Sequence, residues 1–455
     1  LKHDPAKMQL PPFYPDTPEV RRIWANMYDL ATVFDRKVAE ILAWLEEDDD
    51  LENTIVFVFS DHGNGLPRYK RWLNDSGLRV PLIVHVPKKF RSLCPHKPGE
   101  STERLVSFVD FPATALSLAG AEVPQIMQGE PFLGTTISPP RNFVFGARSR
   151  ADDLFEVSRS VFDGRYLYVR HFIPHLPYIP ESVIFDDRKR AFRELRRLHR
   201  AGKLDEHAAR MWAKRKPVEE LYDLKRDPHE LYNLAASANH AQTKERLHKE
   251  LVDWILKHRD SGLLPEAEYQ VRAARAELTP FEIVQDPQQF DLEATLAAAY
   301  IVGDDRLETE KLTEGLAHAE AGVRYWSAVA LQARGKESQP AKAALTAALN
   351  DKSPVVRIAA AEALLAMGHS EAALATLGEI VQDDFPPLAL HAARSLANVG
   401  EKAKPLVPTM RQVLDKNRSE PGSRLLYKDF NYASFTGWGL ETALAACGDK
   451  VELEN

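Results

Sequence analysis

A continuous apolar run at residues 54–59, TIVFVF, constrains the fold of this 455-residue chain more than any other stretch. The run is β-branched and aromatic and too short for a helix, so it predicts a strand buried on both faces, as in the centre of a parallel sheet. It ends abruptly in SDHG, and a second apolar run at residues 80–86 returns the chain to the sheet. Asp61 and His62 are therefore expected at the carboxyl end of a central strand, where open α/β sheets place their ligand crevice.

A carboxylate and an imidazole side by side at a strand end can hold a metal ion. Arg68, Lys70 and Arg71 follow shortly afterwards, and cations so placed can bind an anion beside the metal, as sites acting on sulfate or phosphate esters require. An Asp-His pair can equally cap a strand next to a loop of solvated cations. The residue pattern by itself leaves both interpretations open.

The longer sequence around this pair favours the first interpretation. SDHG followed by LPRYKRWLNDSGLRVPLIVHVP resembles the second metal-ligand segment of the sulfatase family. Residues 10–47 and 107–124 are similar to the family's segments before and after this strand, and LYDLKRDPHELYNLA at residues 221–235 is similar to its carboxyl-terminal signature. The resemblance covers about the first half of the chain and leans toward sulfamidase-like and heparan-type glycan sulfatases.

The resemblance implies an α/β fold with an alkaline-phosphatase-like sheet flanked by helices and a small antiparallel sheet near its carboxyl end. It implies that Asp61 and His62 bind a divalent cation, with calcium the first choice and zinc or manganese as alternatives. Carboxylate oxygen suits calcium, whereas imidazole nitrogen suits the other two ions better.

The resemblance also assigns roles to basic residues. It places Lys70 on the sulfate ester, where a compact cation can neutralise charge on the leaving oxygen. Arg68 is a weaker candidate for substrate binding. Arg148 and Arg150, in the sequence RSRADD, are candidates for substrate recognition, although a solvated charge cluster on a hairpin connection accounts for them equally well.

One part of the family pattern is missing from the sequence. Sulfatases carry a formylglycine nucleophile in a Cys/Ser-x-Pro-x-Arg motif and an Asp-Asp pair of metal ligands, both upstream of the segment described above. No Cys/Ser-x-Pro-x-Arg sequence occurs here, no Asp-Asp pair stands at the family's upstream position, and Cys94 and Cys447 do not fit. We interpret the chain as the carboxyl-terminal portion of a longer protein, or as a chain without its catalytic front half.

Three functions remain open at this stage. The first is a sulfatase-type hydrolase that cleaves sulfate esters or sulfamates of a glycan, provided that the missing half is supplied. The second is a metal-dependent phosphohydrolase or phosphodiesterase of the same superfamily, which predicts zinc in the site. The third is a non-catalytic scaffold derived from a sulfatase.

Glycines recur in the second half of the chain with a helical-repeat period. Gly303, Gly335, Gly368 and Gly400 are 32, 33 and 32 residues apart, and each closes an Ala- and Leu-rich helical segment. This pattern predicts an all-α, HEAT-like solenoid that can bind a protein partner. The predicted divisions are a sulfatase-like α/β domain at 1–240, a helix and linker at 241–288, and the repeats at 289–455.

Composition limits the partners that the chain is expected to bind. The net charge of −7 and the sequence pI of about 6.1 give no overall signal for nucleic acid. The basic stretch at 186–216, with a helix predicted at 188–200, is typical of a solvated face. No run of eighteen apolar residues predicts a membrane span. The resemblance favours a periplasmic or secreted location and a sulfated carbohydrate as substrate.

Overall fold

The computed structural model describes residues 2–180, 186, 188–419 and 427–449. The first part of the chain forms α1 (Pro18–Glu47), β1 (Val56–Phe59), α2 (Asp75–Leu78), β2 (Leu82–His85) and α3 (Asp110–Leu118). The middle part forms β3 (Val144–Ala151), β4 (Leu154–Phe162), β5 (Tyr166–His171), α4 (Arg190–Arg200), α5 (Glu206–Ala209) and β6 (Glu219–Asp223).

The strand predicted at 54–59 forms, but its surroundings differ from the prediction. Within the described residues β1 pairs antiparallel with β2 alone, with Val56 opposite His85 and Phe59 opposite Leu82. Phe59 is 40% exposed and Ile83 is 64% exposed. The expectation of a central parallel strand buried on both faces was therefore wrong for this structure. The apolar sequence indicates a strand that is suited to burial on both faces. In the described part of the chain, however, this strand has one neighbouring strand.

Helix α1 begins where the sequence signals predict, with Thr17 as the N-cap and Pro18 at the first helical position. Only its first turns are buried, and they pack with α4 in an apolar cluster that includes Val20, Ile23 and Trp24. Farther along the helix its apolar face is half-buried or exposed, with Trp44 60% accessible. Among the described residues, the whole helix therefore does not pack on a sheet.

The small antiparallel sheet that the resemblance implies forms as a second sheet. Among the described residues this sheet has the order β3-β4-β5-β6, with every pair antiparallel. The prediction missed β6, which opens the 221–235 signature. Residues 148–151, expected in a connection, continue β3 past an irregularity in its pairing with β4.

The carboxyl-terminal half is helical, as the glycine spacing predicts. It comprises α6 (Ala241–Lys257), α7 (Glu266–Ala276), α8 (Pro280–Gln285), α9 (Leu292–Tyr300), α10 (Thr309–Gly315), α11 (Ala321–Arg334), α12 (Lys342–Ala348), α13 (Pro354–Met367), α14 (Glu371–Ile380), α15 (Pro386–Val399), α16 (Val407–Ser419) and α17 (Tyr427–Ala446). Gly335, Gly368 and Gly400 follow α11, α13 and α15 with positive φ, as helix-terminating glycines do. The predicted linker after α6 contains two further helices, α7 and α8.

The second sheet and the helical repeats share one apolar core. This core runs from Val161, Tyr168 and Phe172 on β4 and β5, through α6, to the repeat helices. Trp326 of α11 is fully buried in it and donates from Nε1 to the carbonyl of Leu263 at 2.7 Å. None of the described helices is both long and apolar enough to cross a membrane.

Candidate active site

Asp61 and His62 lie directly after β1 and face each other. His62 Nε2 is 3.3 Å from Asp61 Oδ2, and Asp61 is largely exposed. His62 Nδ1 lies 2.5 Å from the carbonyl of Gly63. Because a carbonyl oxygen only accepts, Nδ1 must carry a proton, and in the neutral ring Nε2 therefore presents a lone pair toward the carboxylate.

This geometry suits a cation in part. Two acceptors that face each other at 3.3 Å repel unless a proton or a metal ion lies between them, and the separation is in the range of two ligands of one cation. However, no group of three His, Cys, Asp or Glu side chains in the described parts of the chain is arranged to hold a metal ion. Asp61 and His62 thus offer two donors, and a cation bound there would need further ligands.

The loop that follows the pair is closely packed and presents Lys70 to solvent. The Lys70 amide donates to the carbonyl of Asn64 at 2.9 Å, which ties Lys70 to the turn just after His62. A Cβ added to Gly63 would lie 2.2 Å from the carbonyl oxygen of Ser76, so the turn requires glycine there. Lys70 itself is exposed.

Arg68 and Arg71, on either side of Lys70, point into the protein. Both have positive φ, 72° and 78°, which costs on the order of 1–3 kcal/mol for a residue other than glycine. The strain is compensated by ion pairs, since Arg68 pairs with Glu230 at 3.1 Å and Arg71 with Asp152 at 3.0 Å. Arg68 is 3% exposed. Its predicted role in substrate binding remains a prediction that this burial does not favour.

Glu230 clamps the loop from the carboxyl-terminal signature. It is 2% exposed and accepts hydrogen bonds from the Asp75 amide at 2.6 Å and from Asn74 Nδ2, besides the ion pair with Arg68. Arg68 also donates to the main-chain carbonyl of His229 at 2.8 Å. The two sequence segments that carry the resemblance therefore interlock around one buried carboxylate.

Arg148 is also buried, and its guanidinium lies over the ring of Trp72 at 4.4 Å from the ring centre. It is 8% exposed, and its Nε has no hydrogen-bond partner. Burial lowers the pKa of Arg148 to about 10, against the opposing field of Glu156, so the side chain stays charged at neutral pH. The structure thus places Arg148 beneath the Lys70 loop.

Arg150, the other predicted recognition residue, connects β3 to the helices. Its guanidinium pairs with Glu266 of α7 at 2.6 Å and lies 5.5 Å from the ring centre of Tyr432 and 5.3 Å from that of Phe435, both on α17. These contacts occupy Arg150 with residues of the helical half. Its predicted contact with substrate remains untested, and the geometry favours a structural role.

Sequence reasoning did not identify Glu230 or the acidic partners of Arg71 as part of this assembly. Glu230 could have been found from its place in the 221–235 signature. A carboxylate that is buried there needs a cation, and the loop that holds Lys70 supplies Arg68. The partners of Arg71 are Asp152 and Asp186, and both stand in sequences that read as solvent-exposed charge clusters.

Two family models match segments of this chain, one in each half. Residues 3–121 match the sulfatase family model, and residues 309–397 match the model of HEAT repeats. The sulfatase match ends before β3, so the second sheet and the loop clamp at Glu230 lie outside it.

The proteins to which this chain is similar include two named sulfatases and one named sulphohydrolase. The chain is 38% identical over 264 residues to an ulvan-active sulfatase of Formosa agariphila, covering 58% of this chain and 43% of that protein. It is 26% identical to the N-sulphoglucosamine sulphohydrolase of Homo sapiens, over 55% of this chain and 51% of that protein. It is also 26% identical to the N-acetylglucosamine-6-O-sulfatase of Bacteroides thetaiotaomicron, over 51% of this chain and 36% of that protein. The chain thus spans about half or less of the length of these relatives.

Structural likeness to solved proteins is weaker. One match is a protein in complex with its substrate D-glucosamine-2-N,6-O-disulfate, with 22% sequence identity and a TM-score of 0.38, covering 53% of this chain and 42% of that chain. A likeness at this level is too weak to support an inference about the site.

Proposed function

We propose that this chain is part of a sulfatase-type hydrolase that cleaves sulfate esters or sulfamates of a glycan. The observation that carries the proposal is the pairing of Asp61 and His62 next to a rigidly held loop that presents Lys70. The names of the relatives support the class of reaction, because two are named sulfatases and the third is named a sulphohydrolase.

In this proposal each residue has a defined task. Asp61 and His62 would supply two ligands to a divalent cation, which would provide positive charge for the sulfate group. Lys70 binds an oxygen of the ester and stabilises the negative charge that develops on the leaving oxygen as the bond to sulfur breaks. Arg68 and Arg71 position Lys70 through their buried ion pairs. By resemblance, the nucleophile is a formylglycine, and no Cys/Ser-x-Pro-x-Arg sequence occurs in these 455 residues.

Calcium is the proposed cation, with zinc or manganese as the alternatives. The carboxylate of Asp61 suits calcium, and the free Nε2 of His62 suits the transition metals. Metal analysis of the purified protein distinguishes them. We expect about one divalent ion per protein, and its loss in a variant with Asp61→Asn and His62→Gln. Unchanged metal content in that variant would contradict the assignment of these two ligands.

The reaction is tested with a panel of N-sulfated and O-sulfated saccharides. We expect release of inorganic sulfate from at least one member with the metal present. Release of phosphate from phosphate esters, without release of sulfate, would instead favour the phosphohydrolase. No release from either panel would contradict the enzymatic proposal.

A further inference from the structure

Helix α4 carries arginines along its outer side. Four exposed arginines follow one another at intervals of three or four residues, namely Arg190, Arg193, Arg197 and Arg200. Residues at these intervals lie on one side of a helix, so the four side chains form a row, called here the arginine row. At a rise of about 1.5 Å per residue the row is about 15 Å long.

The opposite side of α4 is anchored in the protein. Phe192 and Leu195 are buried in the apolar cluster to which the first turns of α1 also belong. Arg196 points inward as well and donates to the carbonyl of Pro180 at 2.7 Å. The arginine row is therefore held in place before a ligand arrives, which reduces the entropy that binding would cost.

The charge of this region is strongly positive. Residues 186–216 contain twelve Lys and Arg against five Asp and Glu, a net charge of +7 in a chain whose net charge is −7. Helix α4 itself contains one acidic residue, Glu194. A solvated helix face usually mixes charges of both signs, whereas the arginine row keeps like charges three and four residues apart, which disfavours the helix. A ligand of opposite charge would remove this repulsion.

Some of these arginines already have partners in the protein. Arg190 pairs with Glu19 of α1, and Arg197 pairs with Glu194 at 2.8 Å. The other two members of the row also make contacts within the protein. A guanidinium carries five N–H donors, so an arginine with a partner in the protein can also donate to an outside anion. The inference therefore rests on the density of positive charge and not on unpaired side chains.

Helix α4 also lies against the loop that presents Lys70. The guanidinium of Arg71 is 5.9 Å from the centre of the Phe192 ring. Asp186, just before the helix, pairs with Arg71 and lies 3.6 Å from the ammonium of Lys189. The arginine row and Lys70 are thus carried by elements in direct contact.

We propose that the arginine row of α4 binds a sulfated polysaccharide chain outside the pocket at Asp61, His62 and Lys70. A row of cations suits an anion that carries its charges in series, and not one small ion. Guanidinium groups bind the oxygens of tetrahedral anions and carboxylates through two parallel hydrogen bonds. The identification of this polysaccharide with the enzyme's own substrate rests on the proposed function, whereas the binding itself does not.

Nucleic acid also carries charges in series, but this surface suits it less well. Proteins that bind single strands combine a basic surface with aromatic side chains that stack on the bases. The Phe and Trp residues of this segment, Phe192 and Trp212, are 1% and 7% exposed and are not available for stacking. The row therefore offers charge without base contacts, as a polysaccharide of sulfated sugars requires.

Dextran sulfate tests the surface without turnover, and neutral dextran controls for contacts that need no charge. Binding is measured by calorimetry at several salt concentrations, for the unaltered protein and for a row variant with Arg193→Gln, Arg197→Gln and Arg200→Gln. We expect the row variant to bind dextran sulfate at least tenfold more weakly, with a shallower dependence on salt because fewer counterions are released. Its Tm should stay within a few degrees, since glutamine is nearly as good a helix former as arginine.

A second triple variant separates the row from the net charge of the protein. Lys249→Gln, Arg306→Gln and Lys416→Gln remove the same three charges from ion-paired cations of the helical half, whose side chains are 70%, 91% and 54% exposed. This control should bind dextran sulfate within twofold of the unaltered protein. Equal binding by the two triple variants, no binding by the unaltered protein, or equally tight binding of neutral dextran would overturn the inference.

Other polyanions identify the kind of ligand. Single-stranded DNA or polyglutamate that binds as tightly as dextran sulfate, with the binding lost in the row variant, would overturn the assignment to a sulfated polysaccharide. Weaker binding of both, by tenfold or more, would support it.

Kinetics connect the surface to the reaction. In the row variant, KM for sulfate release from a sulfated polysaccharide should rise at least tenfold, while KM for D-glucosamine-2-N,6-O-disulfate should stay within twofold. Equal changes in the two KM values would overturn the role of the row in substrate binding. Absence of sulfate release from both, with binding of dextran sulfate intact, would contradict the proposed function alone, so the two failures are distinguishable.

Discussion

Replacing Glu230 tests whether one buried carboxylate holds the loop that presents Lys70. Glu230→Ala removes the acceptor for Asn74 and for the Asp75 amide, and leaves the Arg68 charge buried. Removing one partner of a buried ion pair typically costs about 3–5 kcal/mol. Arg68 keeps two main-chain carbonyl acceptors at 2.8 and 2.9 Å, so we expect the low end, about 3 kcal/mol.

Glu230→Gln keeps the volume and one acceptor oxygen, and should cost about half as much. Urea unfolding gives both free energies, and hydrogen exchange across residues 63–77 should show faster exchange at the Asp75 amide. Glu40→Gln is the matched control, because Glu40 forms an exposed pair with Lys37 on α1 and should change stability by less than about 0.5 kcal/mol.

A double substitution sharpens the test. Arg68→Met combined with Glu230→Gln removes both charges, so the pair should be less destabilising than the sum of the two single changes by about 2 kcal/mol. A free energy of unfolding of Glu230→Ala within 1 kcal/mol of that of the unaltered protein, or unchanged hydrogen exchange at the Asp75 amide, would refute the proposed role of Glu230 in holding the loop.

Three further predictions address other parts of the structure. Burial raises the pKa of Asp153 to about 6, so its folded form binds a proton that the unfolded form releases, and stability is lost as the pH rises through that pKa. Between pH 4 and pH 7.5, the free energy of unfolding of the unaltered protein should therefore fall relative to that of Asp153→Asn, by up to about 3 kcal/mol. An equal difference at both pH values would contradict this. Arg150→Ala should lower the free energy of unfolding in urea by about 1–2 kcal/mol. The double variant with Glu266→Ala should lose less stability than the sum of the two single variants, whereas additive losses would show that the two residues are not coupled. Gly63→Ala should lower stability by about 1–3 kcal/mol because its Cβ meets a carbonyl at 2.2 Å, while Gly65→Ala, with open space, should be close to neutral; equal effects would disprove the close approach.

The sequence predicts local structure well where periodicity and capping residues act within one element. Helix α1 and the repeat helices form as expected, since their caps and apolar spacing are encoded over a few turns. The burial of β1 was not predictable in the same way. The apolar residues of a strand show that the strand is suited to burial. How many other strands and helices pack against it depends on distant parts of the polypeptide.

The candidate site shows the same division. The facing positions of Asp61 and His62 and the turn that leads to Lys70 follow from local chain geometry at a strand end, whereas the roles of these three residues stay predictions. The inward direction of Arg68 and Arg71 was not predicted, because it depends on two positive φ angles and on carboxylates far along the chain. The resemblance made Arg148 a candidate recognition residue, whereas its burial against Trp72 depends on how distant parts of the chain pack.

The rate of sulfate release in a Lys70→Met variant of the intact protein tests the central claim most directly. The claim is that the loop between Arg68 and Arg71 presents Lys70 to a sulfate ester beside Asp61 and His62. We expect kcat/KM to fall by about 100-fold or more in Lys70→Met, since a cation that contacts the developing charge is lost, and to stay within twofold in Lys88→Met, an exposed lysine elsewhere. Equal rates of sulfate release in the two variants would contradict the account.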